Sequence, residues 1–201
     1  MKHRVSSISL AALMVAAVCA QASADTLPLS EDARQTLDWV KADIRMTGQP
    51  FIVLDKKAAH VWVFDGKARL AGATPVLLGL AKGDDSVPGI GEKPIGMIQP
   101  HERTTPAGRF AMEPGKNAKG ESIYWVDYDA AISLHRIRAS KSSERRVERL
   151  ASPEASDNRI SYGCINVPER FYSEVIDSLF ASGKGSIYIL PETRSLSSIL
   201  K

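Results

Sequence analysis

The segment FIVLDKKAAHVWVFDGK, residues 51–67, carries the clearest evidence of fold class in this chain. An apolar run at Phe51–Leu54 is followed by a turn at Asp55–Lys57. In the next stretch two sets of side chains alternate: Ala59, Val61 and Val63 with His60, Trp62 and Phe64. This period of two is typical of a β-strand, and Asp65-Gly66 is a strong signal for a hairpin turn. The segment therefore predicts two strands and a hairpin leading into a third.

A helix is expected on the N-terminal side of this hairpin, within Leu27–Gly48. Ser30 is a suitable N-cap, and Glu31 and Asp32 place negative charge in the first turn, where the helix dipole favours it. Apolar residues follow at helical spacing: Ala33, Leu37, Val40 and Ile44. The pattern predicts a helix that serves for packing rather than as a functional site.

On the C-terminal side the sequence predicts further strands around a long loop. The expected strands are 68–80, 109–112, 122–126, 130–135 and 186–190. Glycine and proline are frequent in 81–108, which indicates a long ordered loop, and such loops are often functional. The polar segment 136–160 predicts a short surface helix at Ser142–Leu150, with Val147 and Leu150 facing inward.

A second helix is expected from Pro168 to Phe180, because proline suits the first turn of a helix. Its core-facing side chains are predicted to be Val175, Ile176, Leu179 and Phe180. Taken together, the pattern indicates a mostly β (α+β) protein. An N-terminal helical segment, 25–50, precedes one domain at 51–191, and a loose tail is expected at 192–201.

The N-terminal segment 1–24 has the features of a secretory signal peptide. Lys2 and Arg4 are followed by an apolar stretch, Ile8–Ala20, and by a small-residue cleavage site at Ala22–Ala24. The apolar stretch is too short for a comfortable membrane span. We therefore expect cleavage near Ala24, a periplasmic location and no stable membrane span afterwards.

The charge balance argues against nucleic acid as a partner. The 201 residues include 26 basic and 23 acidic ones, and segment 1–24 contains no acid. Phosphate binding requires a concentrated basic surface. The basic residues of 136–160 are better interpreted as a solvated face.

Cleavage leaves a single cysteine, Cys164, because Cys19 lies in the signal segment. A lone thiol forms no internal disulfide, so it is either buried and inert or kept free for chemistry. Gly163 precedes it, and a helix begins a few residues later. Exposed backbone N–H groups at such a junction can stabilise a thiolate or an oxyanion. The residues alone leave both interpretations open.

A nucleophilic thiol needs a base, and the candidates are His60, His101 and His135. His135 ends an apolar strand, where catalytic groups are often found, whereas His60 is expected on a strand face. A satisfied polar residue at the strand end remains an equal alternative for His135. No pair of histidines or cysteines has metal-ligand spacing, so no zinc site is expected. The glycines between 83 and 108 lack the phosphate-loop and dinucleotide patterns, so no organic cofactor is expected either.

The segment Ser161-Tyr162-Gly163-Cys164-Ile165-Asn166 resembles the signature of the L,D-transpeptidase (YkuD-type) catalytic domain of bacterial cell-wall enzymes. That signature is Ser/Thr-His-Gly-Cys, an apolar residue, then Asn or Arg. His135 matches the family's upstream base, and Thr105–Phe110 matches its Thr-Pro-x-Gly-x-(Phe/Tyr) loop. The resemblance covers about Phe51 to Pro191.

The resemblance implies a β-sandwich and a cysteine acyltransferase that acts on peptidoglycan stem peptides. Cys164 would form a thioester, His135 would act as base, and the Arg136 carbonyl would orient the imidazole. Backbone N–H groups around Tyr162, Gly163 and Cys164 would stabilise the oxyanion. Residues expected to contact substrate are Ser161, Asn166, Arg109 and Arg138. The acceptor would be an amine of a second stem or of a protein.

Two departures from the family pattern keep alternatives open. Tyr162 stands where the signature has histidine, and 29 residues separate His135 from Cys164, more than the family's usual spacing. The extra residues, about 136–160, are expected to form a lid or rim beside the cleft. An L,D-carboxypeptidase or endopeptidase that hydrolyses the same bond is one alternative. A non-catalytic wall-binding module is another.

Overall fold

The computed structural model describes residues 27–43, 48–138 and 141–200. The predicted signal peptide and Ile44 lie outside these residues. Eleven strands occur in the described part of the chain: β1 (Phe51–Asp55), β2 (His60–Phe64), β3 (Leu70–Pro75), β4 (Leu78–Gly79), β5 (Gly108–Ala111), β6 (Glu113–Lys116), β7 (Ser122–Asp127), β8 (Ile132–Arg136), β9 (Arg159–Ser161), β10 (Ile165–Val167) and β11 (Ser186–Leu190). No helix within these ranges has the length and apolar character needed to cross a membrane.

The α-helices of the described ranges flank the strands, and several short 3-10 turns lie in the connecting segments. The α-helices are α1 (Glu31–Ala42), α2 (Arg146–Ala151), α3 (Glu169–Phe171) and α4 (Asp177–Phe180). A π-helical turn, Tyr172–Ile176, joins α3 to α4 without a break. Ser30 caps α1 as predicted, since its side chain accepts a hydrogen bond from the Ala33 N–H. The helix ends at Ala42, earlier than the sequence pattern suggests.

The larger sheet has the order β3-β2-β1-β11-β5 and is covered on both faces. Its central strands are therefore buried along their whole length, which explains why β1 and β11 are almost entirely apolar. One face packs against α1 through Phe51, Val53, Trp62, Phe64, Tyr188 and Leu190. The other contributes Ile52, Leu54, Val61, Val63, Ile187 and Ile189 to the main core.

The second sheet, β10-β8-β7-β6, faces this main core together with the helix that follows Cys164. Leu134 and Ile165 from the sheet and Tyr172, Ile176 and Phe180 from the helix are fully buried. A small third sheet pairs β4 with β9. The predicted mostly β sandwich, with a helix before the first sheet and another after Cys164, is confirmed.

Several local predictions were wrong. The stretch 68–80 is two strands, because after Pro75 the chain leaves the first sheet and β4 pairs with β9. The sequence did not predict β6, which contains Pro114 and lies at a sheet edge, where a missing N–H is tolerated. Leu150 is buried as expected, but Val147 is 63% exposed because it lies on the solvent-facing side of α2.

The C-terminal tail is anchored rather than loose. Glu192 accepts hydrogen bonds from Arg159 and from the Gly83 N–H, and Thr193 donates two to Asp84. Ile199 is buried against the outer face of the larger sheet. The contacts with Gly83 and Asp84 join the tail to the long loop. They connect residues 109 positions apart, so a local sequence pattern does not predict them.

Candidate active site

A cleft of about 460 Å³ opens beside Cys164. It is formed by β7, β8, the polar segment after β8 and the short loop between β9 and β10, residues 162–164 (the Cys164 loop). Its lining includes four basic side chains, Lys119, Arg138, Lys141 and Arg146, and one acidic side chain, Glu144. Of these five, all but Lys119 belong to the extra residues 136–160, which therefore form part of the cleft wall.

The parallel pairing of β8 with β10 brings the key side chains into this cleft. His135 is opposite Asn166, and Leu134 is opposite Ile165. Alternate residues of a strand point to the same face. Ser133 and His135 therefore open to the cleft together, and so do Cys164 and Asn166, while Leu134 and Ile165 point into the core.

Cys164 has a free thiol that is partly exposed to the cleft. Its Sγ lies 3.6 Å from Ser133 Oγ and 3.7 Å from the Ala131 carbonyl oxygen. The sulfur thus contacts polar atoms at the N-terminal end of β8 and is not buried among hydrocarbon side chains. This placement favours the reactive interpretation over that of an inert core thiol.

His135 has a defined hydrogen-bonding state. Its Nδ1 lies 2.8 Å from the Arg136 carbonyl oxygen, which only accepts, so Nδ1 carries the proton. Its Nε2 lies 3.3 Å from Asn166 Nδ2. Within the described residues no hydrogen bond joins His135 directly to Cys164, which lies diagonally across the β8–β10 pair. In this state Asn166 occupies the nitrogen that would serve as base.

The pKa of His135 is lowered to about 4, mainly by burial and to a lesser extent by the nearby positive charges of Arg138 and Arg146. The hydrogen bond to the Arg136 carbonyl and the charge of Glu121 oppose this effect. The ring is therefore neutral at pH 7. A neutral imidazole with its proton on Nδ1 has a lone pair on Nε2 and is chemically equipped to accept a proton.

Gly163 is required by the geometry of the Cys164 loop. Its φ of +126° lies in a region that side chains rarely adopt. An added Cβ would lie 2.5 Å from Ile132 Cδ1 and 2.8 Å from the Thr104 carbonyl oxygen. The Gly163 N–H donates to Ser161 Oγ at 3.1 Å, and this hydroxyl donates to the Cys164 carbonyl at 2.6 Å.

The predicted oxyanion groups need one correction. Because the Gly163 N–H is engaged by Ser161, it is not available to an oxyanion in this state. The N–H groups of Tyr162 and Cys164 have no acceptor anywhere in ranges 27–43, 48–138 and 141–200. These two groups, on either side of Gly163, are the donors that the loop leaves unused.

The structure brings most of the predicted substrate contacts to the cleft but not Arg109. Arg138 lines it and pairs with Glu121 at 2.7 Å. Ser161 and Asn166 also line it, although both side chains are committed to hydrogen bonds of the loop. Arg109 lies opposite Tyr188 in the larger sheet, on the face covered by α1, because strand alternation turns it away from the second sheet.

Tyr162, which stands at the histidine position of the family signature, also lines the cleft. The guanidinium carbon of Arg103 lies 4.0 Å from the centre of its ring, a cation–π geometry. This contact ties the Cys164 loop to the end of the long loop. Tyr162 therefore forms a wall of the cleft with a partner from another segment.

Sequence reasoning missed two residues that contact the site. Ser133 could have been found, because it lies two positions before His135 and so shares its strand face. Arg146, which donates to Asn166 Oδ1, could not, because it lies in α2 and no local pattern connects it to the Cys164 loop.

Comparison with known proteins gives similarity of fold at low sequence identity. No protein-family model and no curated protein sequence matches the chain. The fold is similar to L,D-transpeptidase catalytic domains in solved structures. The catalytic domain from E. faecium is 19% identical with a TM-score of 0.37, covering 72% of this chain and 98% of that one.

Two further solved structures show the range of the similarity. An L,D-transpeptidase from Mycobacterium smegmatis is 15% identical with a TM-score of 0.40, covering 70% of this chain and 58% of that one. The helical cell shape determining protein Pgp2 from Campylobacter jejuni is 13% identical with a TM-score of 0.49, covering 82% and 58%. The chain thus spans less than two thirds of the Pgp2 structure.

Proposed function

We propose that this chain is an exported cysteine acyltransferase of the L,D-transpeptidase type, which acts on peptidoglycan stem peptides in the periplasm. The observation that carries the proposal is the pairing of β8 with β10. It places a partly exposed thiol and a neutral imidazole on the same wall of one cleft. The sequence signature around Cys164 supports the same chemistry.

In the first step Cys164 attacks the carbonyl between an L-centre and a D-residue of the donor stem. His135 Nε2 accepts the thiol proton, for which Cys164 must displace the Asn166 contact. The N–H groups of Tyr162 and Cys164 stabilise the oxyanion. The C–N bond then breaks, the departing amine takes the proton from His135, and a thioester on Cys164 remains.

In the second step a nucleophile resolves the thioester. An amine from a second stem or from a protein attacks the carbonyl and gives up one proton to His135. The C–S bond breaks, and the proton returns to the sulfur as the new amide leaves. Water in place of the amine gives a carboxylate instead, which is L,D-carboxypeptidase or endopeptidase activity.

The charge of the cleft is compatible with such a substrate. Four basic side chains and one acidic side chain line it, so its net character is positive. Stem peptides carry free carboxylates, which Arg138 is placed to bind if its pairing with Glu121 opens. Arg138 lines the cleft and its side chain is 30% exposed, which supports its proposed role in binding a stem carboxylate.

An assay with purified stem peptides tests the proposal. The full chain, with the segment before Asp25 removed, is incubated with a tetrapeptide stem, with and without an amine acceptor, and products are identified by mass spectrometry. A cross-linked product supports transfer, whereas shortened peptide alone supports hydrolysis. Cys164→Ala should abolish both products and leave the unfolding midpoint nearly unchanged, because the thiol is partly exposed and its polar contacts, at 3.6 and 3.7 Å, are long.

Labelling with a thiol-reactive carbapenem separates the enzyme from a wall-binding module. An adduct on Cys164 in the folded wild type, lost in Cys164→Ala, supports the nucleophile. We expect His135→Gln to slow adduct formation about 100-fold or more, the usual contribution of a general base. Absence of both adduct and product in the wild type would leave the non-catalytic alternative.

A further inference from the structure

Arg146 reaches the candidate site from the polar segment that follows β8. It is the first residue of α2, and its Nη1 donates to Asn166 Oδ1 at 2.5 Å. Its Nε donates to Glu144 at 2.6 Å, which fixes the guanidinium from the other side. The Arg146 side chain is only 12% exposed. Asn166 lies at the wall of the cleft but has no exposed surface in this state.

The contact with Arg146 determines which way the Asn166 amide faces. A guanidinium only donates, so the atom beside it must be the amide oxygen. The amide nitrogen then faces His135 Nε2 at 3.3 Å and the Cys164 carbonyl at 3.4 Å. Both of these groups can accept, so every atom of the amide has a complementary partner.

The orientation of the amide in turn acts on the imidazole. Because Asn166 Nδ2 is a donor, it is compatible only with an unprotonated Nε2. The imidazole proton is then on Nδ1, where the Arg136 carbonyl accepts it at 2.8 Å. A donor therefore faces an acceptor at every contact of this series, which runs from Glu144 through Arg146, Asn166 and His135 to the Arg136 carbonyl.

We infer that Arg146 is a positioning residue for the proposed acyl transfer, which acts through Asn166 to keep His135 in the tautomer able to accept the Cys164 proton. The inference rests on the proposed function. Without Arg146 the Asn166 amide is free to rotate by about 180° and exchange the positions of its oxygen and nitrogen. Its oxygen would then face Nε2 and favour a proton on that nitrogen, the form that cannot act as base toward Cys164.

The experiment compares three variants of the full chain with the segment before Asp25 removed. Arg146→Met keeps much of the side-chain length but removes the donor and the charge. Arg146→Lys keeps a charged donor. Arg149→Met is the matched control, because Arg149 lies in the same helix and bonds to the Glu144 and Asp157 carbonyls but makes no contact with Asn166.

The first readout is the tautomer of His135, measured by ¹⁵N NMR of chains labelled at histidine, with His135→Gln for assignment. Wild type and Arg149→Met should hold the proton on Nδ1. Arg146→Met should shift a measurable fraction to Nε2, and Arg146→Lys should restore part of the wild-type signal. An unchanged tautomer in Arg146→Met would overturn the inference.

The second readout is turnover of the stem peptide. We expect kcat of Arg146→Met to fall about 10- to 100-fold, the range for losing a hydrogen bond from a charged donor, with KM changed much less. A fall confined to KM would assign Arg146 to substrate binding and contradict the inference. If the wild type itself has no turnover, the proposed function fails, while the tautomer still decides the role of Arg146.

A further variant covers the case in which Arg146→Met does not fold. Asn166→Asp places an acceptor against His135 Nε2 whatever Arg146 does. Since the Arg136 carbonyl still accepts at Nδ1, this variant should add a proton at Nε2, giving the imidazolium or the Nε2 tautomer, and reproduce the loss of kcat. An Nε2 that stays unprotonated in Asn166→Asp would show that the residue at position 166 does not control the protonation of Nε2, and the inference would fall.

Discussion

Thr105 Oγ1 donates a hydrogen bond to the Gly163 carbonyl oxygen at 2.7 Å, and this contact joins the long loop to the loop that carries Cys164. The same hydroxyl accepts from the Gly79 N–H at 2.9 Å. Thr105 is fully buried, so no water replaces either partner. The Thr-Pro motif noted in the sequence thus holds the loop that carries Cys164 in place and does not itself line the cleft.

Thr105→Val should therefore destabilise the protein and slow the reactions of Cys164. Valine fits the same space but leaves the Gly79 N–H and the Gly163 carbonyl without a partner. We expect a loss of about 1–3 kcal/mol in the free energy of unfolding, measured by urea denaturation. Thr104→Val is the control, since within the described ranges the Thr104 hydroxyl makes no hydrogen bond. Equal effects of the two substitutions would contradict this account.

Gly163→Ala should be more damaging than its backbone angle alone explains. The new Cβ would overlap Ile132 Cδ1 and the Thr104 carbonyl, and alanine is also strained at a φ of +126°. Together these effects should cost about 2–4 kcal/mol. Thermal unfolding and carbapenem labelling measure stability and reactivity in the same samples.

Gly89→Ala provides the comparison for Gly163→Ala. Gly89 also has a positive φ, +73°, but no atom lies within 4 Å of its added Cβ. Its substitution should cost only about 1–2 kcal/mol from the backbone conformation. A similar loss at both glycines would show that the close approach to Ile132 and Thr104 is not important.

The sequence was sufficient for the parts of the site that depend on strand periodicity. Alternation along 130–135 places His135 on one face and Leu134 on the other, which matches their exposure to cleft and core. Likewise the alternation in 59–64 predicted a strand whose two faces both carry apolar residues. In each case the information lies within a few neighbouring residues, so a local pattern is enough.

The remainder of the site depends on contacts between distant segments. Arg146 meets Asn166 across 20 residues, and Thr105 meets Gly163 across 58. Arg109 failed as a substrate contact for the same reason, because its strand joined the sheet that faces α1. The family motif gave the order of the segments but not the face that each side chain occupies.

Lys56 lies at the centre of a buried charged cluster behind the Cys164 loop, and Lys56→Met should strongly destabilise the protein. Its Nζ, which is fully buried, bonds to Asp84 at 2.8 Å and to the Thr105 carbonyl at 3.0 Å. Burial alone would raise the pKa of Asp84, but hydrogen bonds from Lys56 and Thr193 and from backbone N–H groups lower it well below its usual range. Removing the ammonium leaves this carboxylate buried without its cationic partner.

The expected cost of Lys56→Met is about 3–5 kcal/mol in the free energy of unfolding. Lys57→Met is a closely matched control, because Lys57 is 54% exposed and pairs with Asp32 at the surface. Such a surface pair contributes at most about 1 kcal/mol. Urea titrations of the two variants should differ accordingly, and a Lys56→Met protein as stable as Lys57→Met would refute the role of the cluster.

The stability of the protein should fall as the pH drops from about 6.5 toward 4, and His60 should account for a large part of the loss. His60 lies on β2 beside Trp62, with a ring separation of 4.9 Å, and within the described residues its Nε2 has no hydrogen-bond partner. Burial lowers the pKa of His60 to about 4, although the charge of Asp55 opposes this. Burial also lowers the pKa of His135 to about 4.

Between these values and the ordinary histidine value near 6.5, the unfolded chain binds more protons than the folded one, so acidification favours unfolding. One histidine shifted in this way contributes a loss on the order of 3 kcal/mol by pH 4.

His60→Phe keeps an aromatic ring at this position without a titrating group. It should reduce the fall in the free energy of unfolding between pH 7 and pH 4 by about that amount, as measured by urea titrations at each pH. His101→Gln, at an exposed position of the long loop, is the control substitution of a histidine. An identical pH dependence in wild type and His60→Phe would show that His60 is protonated without penalty in the folded protein.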